Sequence, residues 1–225
     1  MQEDKRLLAP KLNPLGYYHL NTLAYGNPTI AQNEIINKDN EFEYLLNKAQ
    51  KIVPFSNNSK ETFRELNYLL EQVKDFSDSV IKEYEEIEDN LHGYLKKEFD
   101  GLGVKYTDND FDMLSALSKF VLKLKYIHSR PRPNQLACYY NIKLFPLFQS
   151  KSPSFPSSHT IQSRIITTIM QKRNPDKTEK LEELFVKIKN SRIKSRVHYP
   201  SDNNKGYTIC NIILEDATFV KKYLK

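Results

Sequence analysis

Three short clusters of basic, hydroxyl and imidazole side chains hold the groups of this 225-residue chain that could do chemistry. They are Lys125 with Arg132-Pro133, then Pro156-Ser157-Ser158-His159, and last Ser191-Arg192 with His198 and Asp202. Taken one at a time, the clusters read as exposed charge, a helix cap and a packed histidine. Taken together, they provide what phosphoryl transfer requires. A phosphoryl group in transfer spreads negative charge over three oxygens, and it needs fixed cations and N–H donors around it.

Basic side chains from all three clusters predict a binding site for a phosphate group. Arginine suits bidentate contacts with oxyanions, and the free N–H groups at a helix N-terminus attract anions. The pattern from Ile161 to Met170 predicts a helix that starts near Ser158, which puts His159 at such a terminus. We therefore expect phosphate contacts from Lys125, Arg132, Ser157, Ser158, His159 and Arg192.

Two histidines and one carboxylate are the predicted catalytic groups. Imidazole can act as a nucleophile or as an acid because its pKa lies near neutral pH. Asp202 follows His198 by four residues and can hold that imidazole in one tautomer, so we interpret His198 as the nucleophile. His159 is then the acid that protonates the leaving oxygen. Acidic pH favours this reaction if His159 enters it protonated.

Helical periodicity runs through most of the chain. Apolar residues recur every three or four positions from Phe63 to Tyr94, in a segment that Asn58 or Ser59 can cap and that forms one helix or two. The same periodicity predicts helices from Glu41 to Val53, from Asp110 to Leu124, from Thr178 to Ser191 and after Asp202. The long segment also fits a coiled-coil seam. However, Leu69, Ile81 and Leu95 widen its apolar stripe toward the face expected in a globular bundle.

The predicted fold class is all-α, as a single-domain helical bundle. We assign residues 41–225 to this helical domain and residues 1–40 to an irregular N-terminal arm, since the first 40 residues contain three prolines, two glycines and several asparagines. Six leucines and tyrosines are expected to pack the arm onto the core, namely Leu7, Leu8, Leu12, Tyr17, Tyr18 and Tyr25.

Composition narrows the class of protein further. Six glycines disfavour a sandwich or barrel built on many tight turns, and two cysteines are too few for a zinc site or a disulfide framework. The formal net charge of +6 suits anionic partners, but no nucleic-acid-binding motif accompanies it. No run reaches the roughly 18 apolar residues of a membrane span, and the first residues lack the apolar core of a signal peptide. We expect a soluble, cytoplasmic protein, and the long helical segment leaves room for a homodimer.

The three clusters resemble the three-part signature of the type 2 phosphatidic acid phosphatase superfamily, which also includes the bacterial class A acid phosphatases and the vanadium haloperoxidases. That signature reads K-x6-R-P, then P-S-G-H, then S-R-x5-H-x3-D, and the chain keeps the spacing inside each part. The matching positions are Lys125, Arg132, Pro133, Pro156, Ser157, His159, Ser191, Arg192, His198 and Asp202. The soluble class A acid phosphatases are the members that the chain resembles most.

The resemblance implies a two-step hydrolysis of phosphate monoesters that needs no metal ion and no other cofactor. His198 would form a phosphohistidine, His159 would protonate the departing alkoxide and then assist a water molecule, and Asp202 would orient His198. Vanadate is expected to inhibit as a mimic of the transition state. The substrate is left open among nucleotides, sugar phosphates, phosphoproteins and lipid phosphates. Tyr126, Phe155 and Tyr199 are candidates for the pocket lining.

One position departs from the signature, because Ser158 stands where the family has glycine. If this position has a positive φ, serine costs about 1 kcal/mol or more; if it only donates its amide, serine keeps that donor. Two other functions stay open at this point. One is a vanadate-dependent haloperoxidase, since the same set of phosphate-binding residues can hold vanadate. The other is a weakly active relative that binds phosphate or has a structural role.

Overall fold

Helices account for 69% of the residues that the structure describes, and no strand occurs among them. The structure is a computed structural model, and it describes residues 19–72 and 76–224. The prediction of an all-α, single-domain fold is confirmed. Of the residues expected to pack the N-terminal arm, Leu7, Leu8, Leu12, Tyr17 and Tyr18 lie outside the described residues.

The described part of the arm contains a helix that we did not predict. After a 3₁₀ turn at Leu20–Thr22, helix α1 spans Ile30–Ile36. Thr29 and Gln32 form a capping box, in which each side chain accepts a hydrogen bond from the backbone N–H of the other residue. This local signal starts the helix, so the prediction of an irregular arm over residues 1–40 is wrong at Ile30–Ile36.

The helix predicted from Glu41 to Val53 is shorter in the structure. It consists of a 3₁₀ turn at Glu43–Leu45 and of helix α2, Leu46–Ala49. The chain then leaves the helical conformation ahead of Pro54, as expected for residues that precede proline.

The long amphipathic segment forms three helices rather than one or two. Helices α3, α4 and α5 span Lys60–Glu71, Asp78–Asp89 and Leu91–Leu102. Ser59 caps α3 as predicted, since its Oγ accepts from the Thr62 N–H at 3.1 Å. Asn90 has a non-helical backbone that ends α4, and its side chain accepts from the Gly93 N–H at 2.9 Å to cap α5. This break positions the end of α4 and the start of α5 beside the candidate site.

The remaining helices carry the three clusters at or near their ends. Helix α6, Asp108–His128, contains Lys125 in its last turn, and the short helix α7, Pro133–Ala137, follows Arg132. Helix α8, Ser158–Arg173, begins directly after Ser157. Helix α9, Thr178–Lys194, carries Arg192 in its last turn, and helix α10, Pro200–Leu214, carries Asp202 in its first turn. Helix α11 spans Ala217–Tyr223.

Helix α8 lies at the centre of the bundle, where it packs against α6, α9 and α10. Its isoleucines are fully buried in the main apolar core, and burial of such a side chain stabilises a fold by about 1.5–3 kcal/mol. They are Ile161, Ile165, Ile166 and Ile169. This packing fixes the N-terminus of α8, and with it Ser158 and His159.

Leucines of the long segment are buried within a single chain. Leu95 belongs to the main core, whereas Leu66 and Leu69 belong to a second, smaller apolar cluster together with Tyr199. The segment therefore forms bundle core rather than an exposed coiled-coil seam. Within the described ranges, every helix is too short or too polar to cross a bilayer.

Candidate active site

A cavity of about 380 Å³ receives side chains from helices α4, α5, α6, α8 and α9 and from the segments that follow α6 and α9. All three sequence clusters contribute to its wall. The predicted site residues that line it are Lys125, Arg132, Ser158, His159, Arg192 and His198. The fold thus brings both histidines and all three predicted cations to one cavity.

His198 is held in one tautomer by a partner at each ring nitrogen. Nδ1 lies 3.1 Å from Asp202 Oδ2, and Nε2 lies 3.0 Å from Arg132 Nη1. A guanidinium can only donate, so Nε2 accepts and carries the lone pair, while Nδ1 carries the proton and donates it to Asp202. Burial and the positive charge of Arg132 lower the pKa of His198 well below 6.5. The imidazole is therefore neutral near pH 7, and His198 is one of the residues that line the cavity.

Arg132 links this imidazole to the wall of the cavity. Its Nη1 donates to the Val197 carbonyl at 2.7 Å as well as to His198, and its Nε donates to the Ser152 carbonyl at 2.8 Å. Its Nη2 has only a long contact of 3.4 Å with the Ser152 hydroxyl. Nη2 is consequently the part of this guanidinium that is most available to an anion in the cavity.

Asp202 is completely buried and does not line the cavity. Its Oδ1 accepts from Arg130 Nη1 at 2.6 Å, and its Oδ2 accepts from His198, from the Tyr199 N–H at 3.0 Å and from the Ser154 hydroxyl. Burial alone would raise the pKa of Asp202, but the Arg130 guanidinium and these hydrogen bonds lower it below its usual range. The carboxylate is therefore ionised and fixed behind His198, as predicted for an orienting group.

Arg130 is a part of the site that the sequence analysis missed. Its side chain is fully buried, and besides Asp202 it contacts Ser201 Oγ at 2.9 Å and Glu65 Oε2 at 3.2 Å. The guanidinium also lies over the Tyr199 ring, 3.8 Å from its centroid. One cation thus joins two carboxylates, one of which orients the predicted nucleophile.

Arg192 lines the cavity and has buried donors without a partner in the described part of the chain. The side chain is 1% exposed, and Nη2 forms an ion pair with Glu88 Oε2. Its Nε and Nη1 are buried and have no acceptor in residues 19–72 and 76–224. Buried donors without a partner cost free energy, so an acceptor that reached Nε and Nη1 would be stabilised there.

Glu88, near the end of α4, is the second residue of the site that we missed. Besides Arg192 it accepts from the Ser150 hydroxyl at 3.2 Å, and it lines the cavity. Burial would raise the pKa of Glu88, but the charge of Arg192, its hydrogen bond to Glu88 and the other positive groups nearby together lower the pKa to about 2. Glu88 is therefore ionised, and it offsets part of the positive charge that Lys125, Arg132 and Arg192 bring to the cavity.

Lys125 is also buried, with 3% of its surface exposed. Its Nζ donates to the carbonyls of Pro153 and Ser154 at 2.7 and 3.3 Å, which leaves one of its three protons for a ligand. Burial and the neighbouring charge of Arg132 lower the pKa of Lys125 well below 10.5. These contacts tie the end of α6 to the loop that precedes α8.

His159 lines the cavity, and one of its ring nitrogens contacts a backbone carbonyl. Its Nε2 lies 3.0 Å from the Ile87 carbonyl oxygen, which can only accept, so Nε2 carries a proton. Nδ1 is therefore the nitrogen left for proton exchange with a substrate. Burial and the charge of Arg192 lower the pKa of His159 to about 3, so this imidazole is neutral in the empty site near pH 7.

The two serines before His159 differ in their placement. Ser157 is fully buried and is not part of the cavity wall. Its N–H donates to the Asp202 carbonyl at 3.2 Å and its Oγ accepts from the Thr160 hydroxyl at 3.0 Å, so it joins the second cluster to the third. Ser158 lines the cavity as the first residue of α8 and does not have a positive φ. Ser158, which stands where the signature has glycine, therefore does not carry the strain of a positive φ.

The proposed aromatic lining is wrong, because Tyr126, Phe155 and Tyr199 are not among the residues that line the cavity. Phe155 and Tyr199 are fully buried, and the Tyr126 hydroxyl binds the Gln32 side chain at 2.9 Å. The larger side chains that do line the cavity include Leu91 and His92 at the start of α5 and Leu122 on α6.

Comparison of the chain with models of known protein families and with curated proteins finds no match. Membership of the superfamily therefore stays a prediction from the motif positions. No cluster of three or more histidine, cysteine, aspartate or glutamate side chains that could hold a metal ion occurs in the described ranges, and independence from metals stays a prediction.

Proposed function

We propose that this protein is a phosphatase that hydrolyses phosphate monoesters through a phosphohistidine, as a member of the type 2 phosphatidic acid phosphatase superfamily most similar to the soluble class A acid phosphatases. One observation carries this proposal. Arg132, Arg192 and the neutral imidazole of His198 line one cavity, and two buried guanidinium nitrogens of Arg192 have no acceptor among the described residues. A tetrahedral oxyanion beside a nucleophilic nitrogen is the ligand that suits this arrangement.

In the first step, the Nε2 lone pair of His198 forms a bond to phosphorus while the bond from phosphorus to the leaving oxygen breaks. In the empty site this lone pair accepts from Arg132 Nη1, so the bound phosphate has to take over that N–H before attack. Asp202 stabilises the positive charge that develops on the imidazole. The substrate binds as the monoanion and first gives its proton to Nδ1 of His159, and Nδ1 then passes this proton to the leaving oxygen.

In the second step, neutral His159 removes a proton from water as the water oxygen attacks phosphorus. The N–P bond breaks and its electron pair returns to Nε2 of His198. The product phosphate takes up the proton from Nδ1 of His159 and leaves as the monoanion, so both histidines regain their initial protonation states. Throughout, Lys125, Arg132 and Arg192 hold the equatorial oxygens. No step requires a group that the chain lacks.

The pH dependence of kcat/KM should follow the substrate rather than the enzyme. The pKa of His159 is about 3 in the free protein, so His159 is neutral near pH 7. The proton that it passes to the leaving oxygen therefore has to come from the substrate, which must bind as the monoanion. Because kcat/KM reports on free enzyme and free substrate, it should fall as pH rises through the second pKa of the substrate, which is about 6 for ordinary monoesters. The measurement compares two aryl phosphates with different second pKa values. The alkaline limb should move with the substrate, and a limb at one fixed pH for both would contradict this account.

A labelling experiment tests the function directly. The protein is mixed with an aryl phosphate that carries a radiolabelled phosphoryl group, in the presence of a metal chelator, and is quenched with base during the first turnover. We expect phenol release that vanadate inhibits, and an acid-labile, base-stable label on the peptide that contains His198. Turnover without this label would contradict the covalent mechanism. Phosphate binding without turnover would support an inactive relative, and bromide oxidation with peroxide and vanadate would support a haloperoxidase.

A further inference from the structure

A chain of polar contacts runs along the first turn of α8 into the cavity. His92 Nε2 lies 3.1 Å from Gln162 Oε1, and Gln162 Nε2 lies 2.8 Å from Ser158 Oγ. Gln162 is buried, and all three residues line the cavity. The motifs that identify the candidate site include neither His92 nor Gln162, and they have glycine at the position of Ser158.

The directions of these hydrogen bonds follow from the chemistry of the groups. An amide oxygen only accepts, so His92 donates to Gln162, and the amide nitrogen of Gln162 then donates to the Ser158 hydroxyl. A serine hydroxyl has one proton of its own, and here its oxygen already serves as an acceptor. That proton has no acceptor in the described part of the chain. Since Ser158 is part of the cavity wall, the cavity is where an acceptor can reach it.

We propose that the Ser158 hydroxyl is a phosphate ligand, and that Gln162 and His92 are positioning residues that aim its proton at the bound oxyanion. The inference depends on the proposed function for the identity of the anion. The hydroxyl sits on the first residue of α8, where the backbone N–H groups and the helix dipole also favour negative charge. A serine at this position therefore adds a hydroxyl donor to the proposed phosphate site, and a glycine has no such donor.

Binding of inorganic phosphate and of vanadate by calorimetry tests this proposal without turnover. Hydrogen bonds to charged groups predict that Ser158→Ala binds both anions about 10- to 100-fold more weakly than the wild type. Ser158→Gly should lose the same amount, because the missing group is the hydroxyl. Gln162→Leu should weaken binding less, about threefold, since the hydroxyl stays but is no longer aimed. In the Ser158→Ala background the Gln162 substitution should have no further effect.

Ser115→Ala is the matched control, because its hydroxyl bonds only to the Phe111 carbonyl, at 2.9 Å, and lies outside the cavity wall. This variant should bind phosphate as the wild type does. Wild-type affinity in Ser158→Gly or Ser158→Ala, with turnover intact, would overturn the role of the hydroxyl and leave the phosphatase proposal standing. An additive effect of Gln162→Leu in the Ser158→Ala background would overturn the positioning role. Absence of phosphate binding and of turnover in the wild type would overturn both proposals.

Discussion

Replacement of His198 by alanine should lower kcat for an aryl phosphate at least about 10⁴-fold while inorganic phosphate still binds. The reason is that Nε2 of His198 attacks phosphorus in the proposed mechanism, whereas the guanidinium groups of Arg132 and Arg192, which are proposed to hold the anion, stay in place. Steady-state kinetics give the loss in kcat, and calorimetry gives the affinity for phosphate. The labelled phosphoryl-enzyme should be absent from this variant.

A second variant shows whether the loss of activity comes from misfolding rather than from the missing imidazole. His198 is 1% exposed, so alanine leaves a cavity in the protein, whereas His198→Asn keeps an N–H donor near Asp202 Oδ2. Both variants should be inactive, and the asparagine variant should melt closer to the wild type. His19→Ala serves as the control, because that histidine is exposed and lies outside the cavity wall. Turnover within tenfold of the wild type in His198→Asn would remove His198 from the nucleophile role.

The sequence predicted those parts of the site whose spacing is local. Lys125 and Arg132 flank one helix end, and His198 and Asp202 are separated by one helical turn across the start of α10. Such pairs keep their geometry wherever the helices pack, so the motif alone was enough to place them. The Nδ1 contact of His198 with Asp202 at 3.1 Å matches the orienting role that the spacing suggested.

The parts that we missed depend on contacts between distant segments. Glu88 comes from an acidic stretch on α4 that gives no sign of which carboxylate meets Arg192, 104 positions later. Glu65 is likewise one charged residue among several on α3. Arg130 offered a weak signal, since the sequence repeats Arg-Pro at positions 130–133, but only the second arginine fits the motif spacing. The sequence analysis placed Ser157 at the phosphate, whereas the structure buries it outside the cavity wall. The motif spacing does not say whether a side chain lines the cavity or packs behind it.

The same distant contacts decide stability, and Arg130→Gln should lower the free energy of unfolding by about 3–5 kcal/mol. The substitution leaves the buried carboxylate of Asp202 without the cation at 2.6 Å, and it removes the ion pair of Glu65 at 3.2 Å. Urea denaturation gives the loss. Arg64→Gln is the matched control, since this arginine of α3 is exposed and its loss should change stability by no more than about 0.5 kcal/mol.

The double variant Arg130→Gln, Asp202→Asn separates the structural role of this pair from its catalytic role. Removal of both charges takes away the unpaired buried carboxylate, and Glu65, whose pKa burial already raises, can take up a proton. We expect the double variant to recover most of the lost stability. Its kcat should stay low, because an asparagine does not hold His198 in the required tautomer or stabilise its positive charge. Recovery of kcat together with stability would contradict the orienting role of Asp202. A loss below about 1 kcal/mol in Arg130→Gln alone would contradict the account of Arg130 as the shared cation.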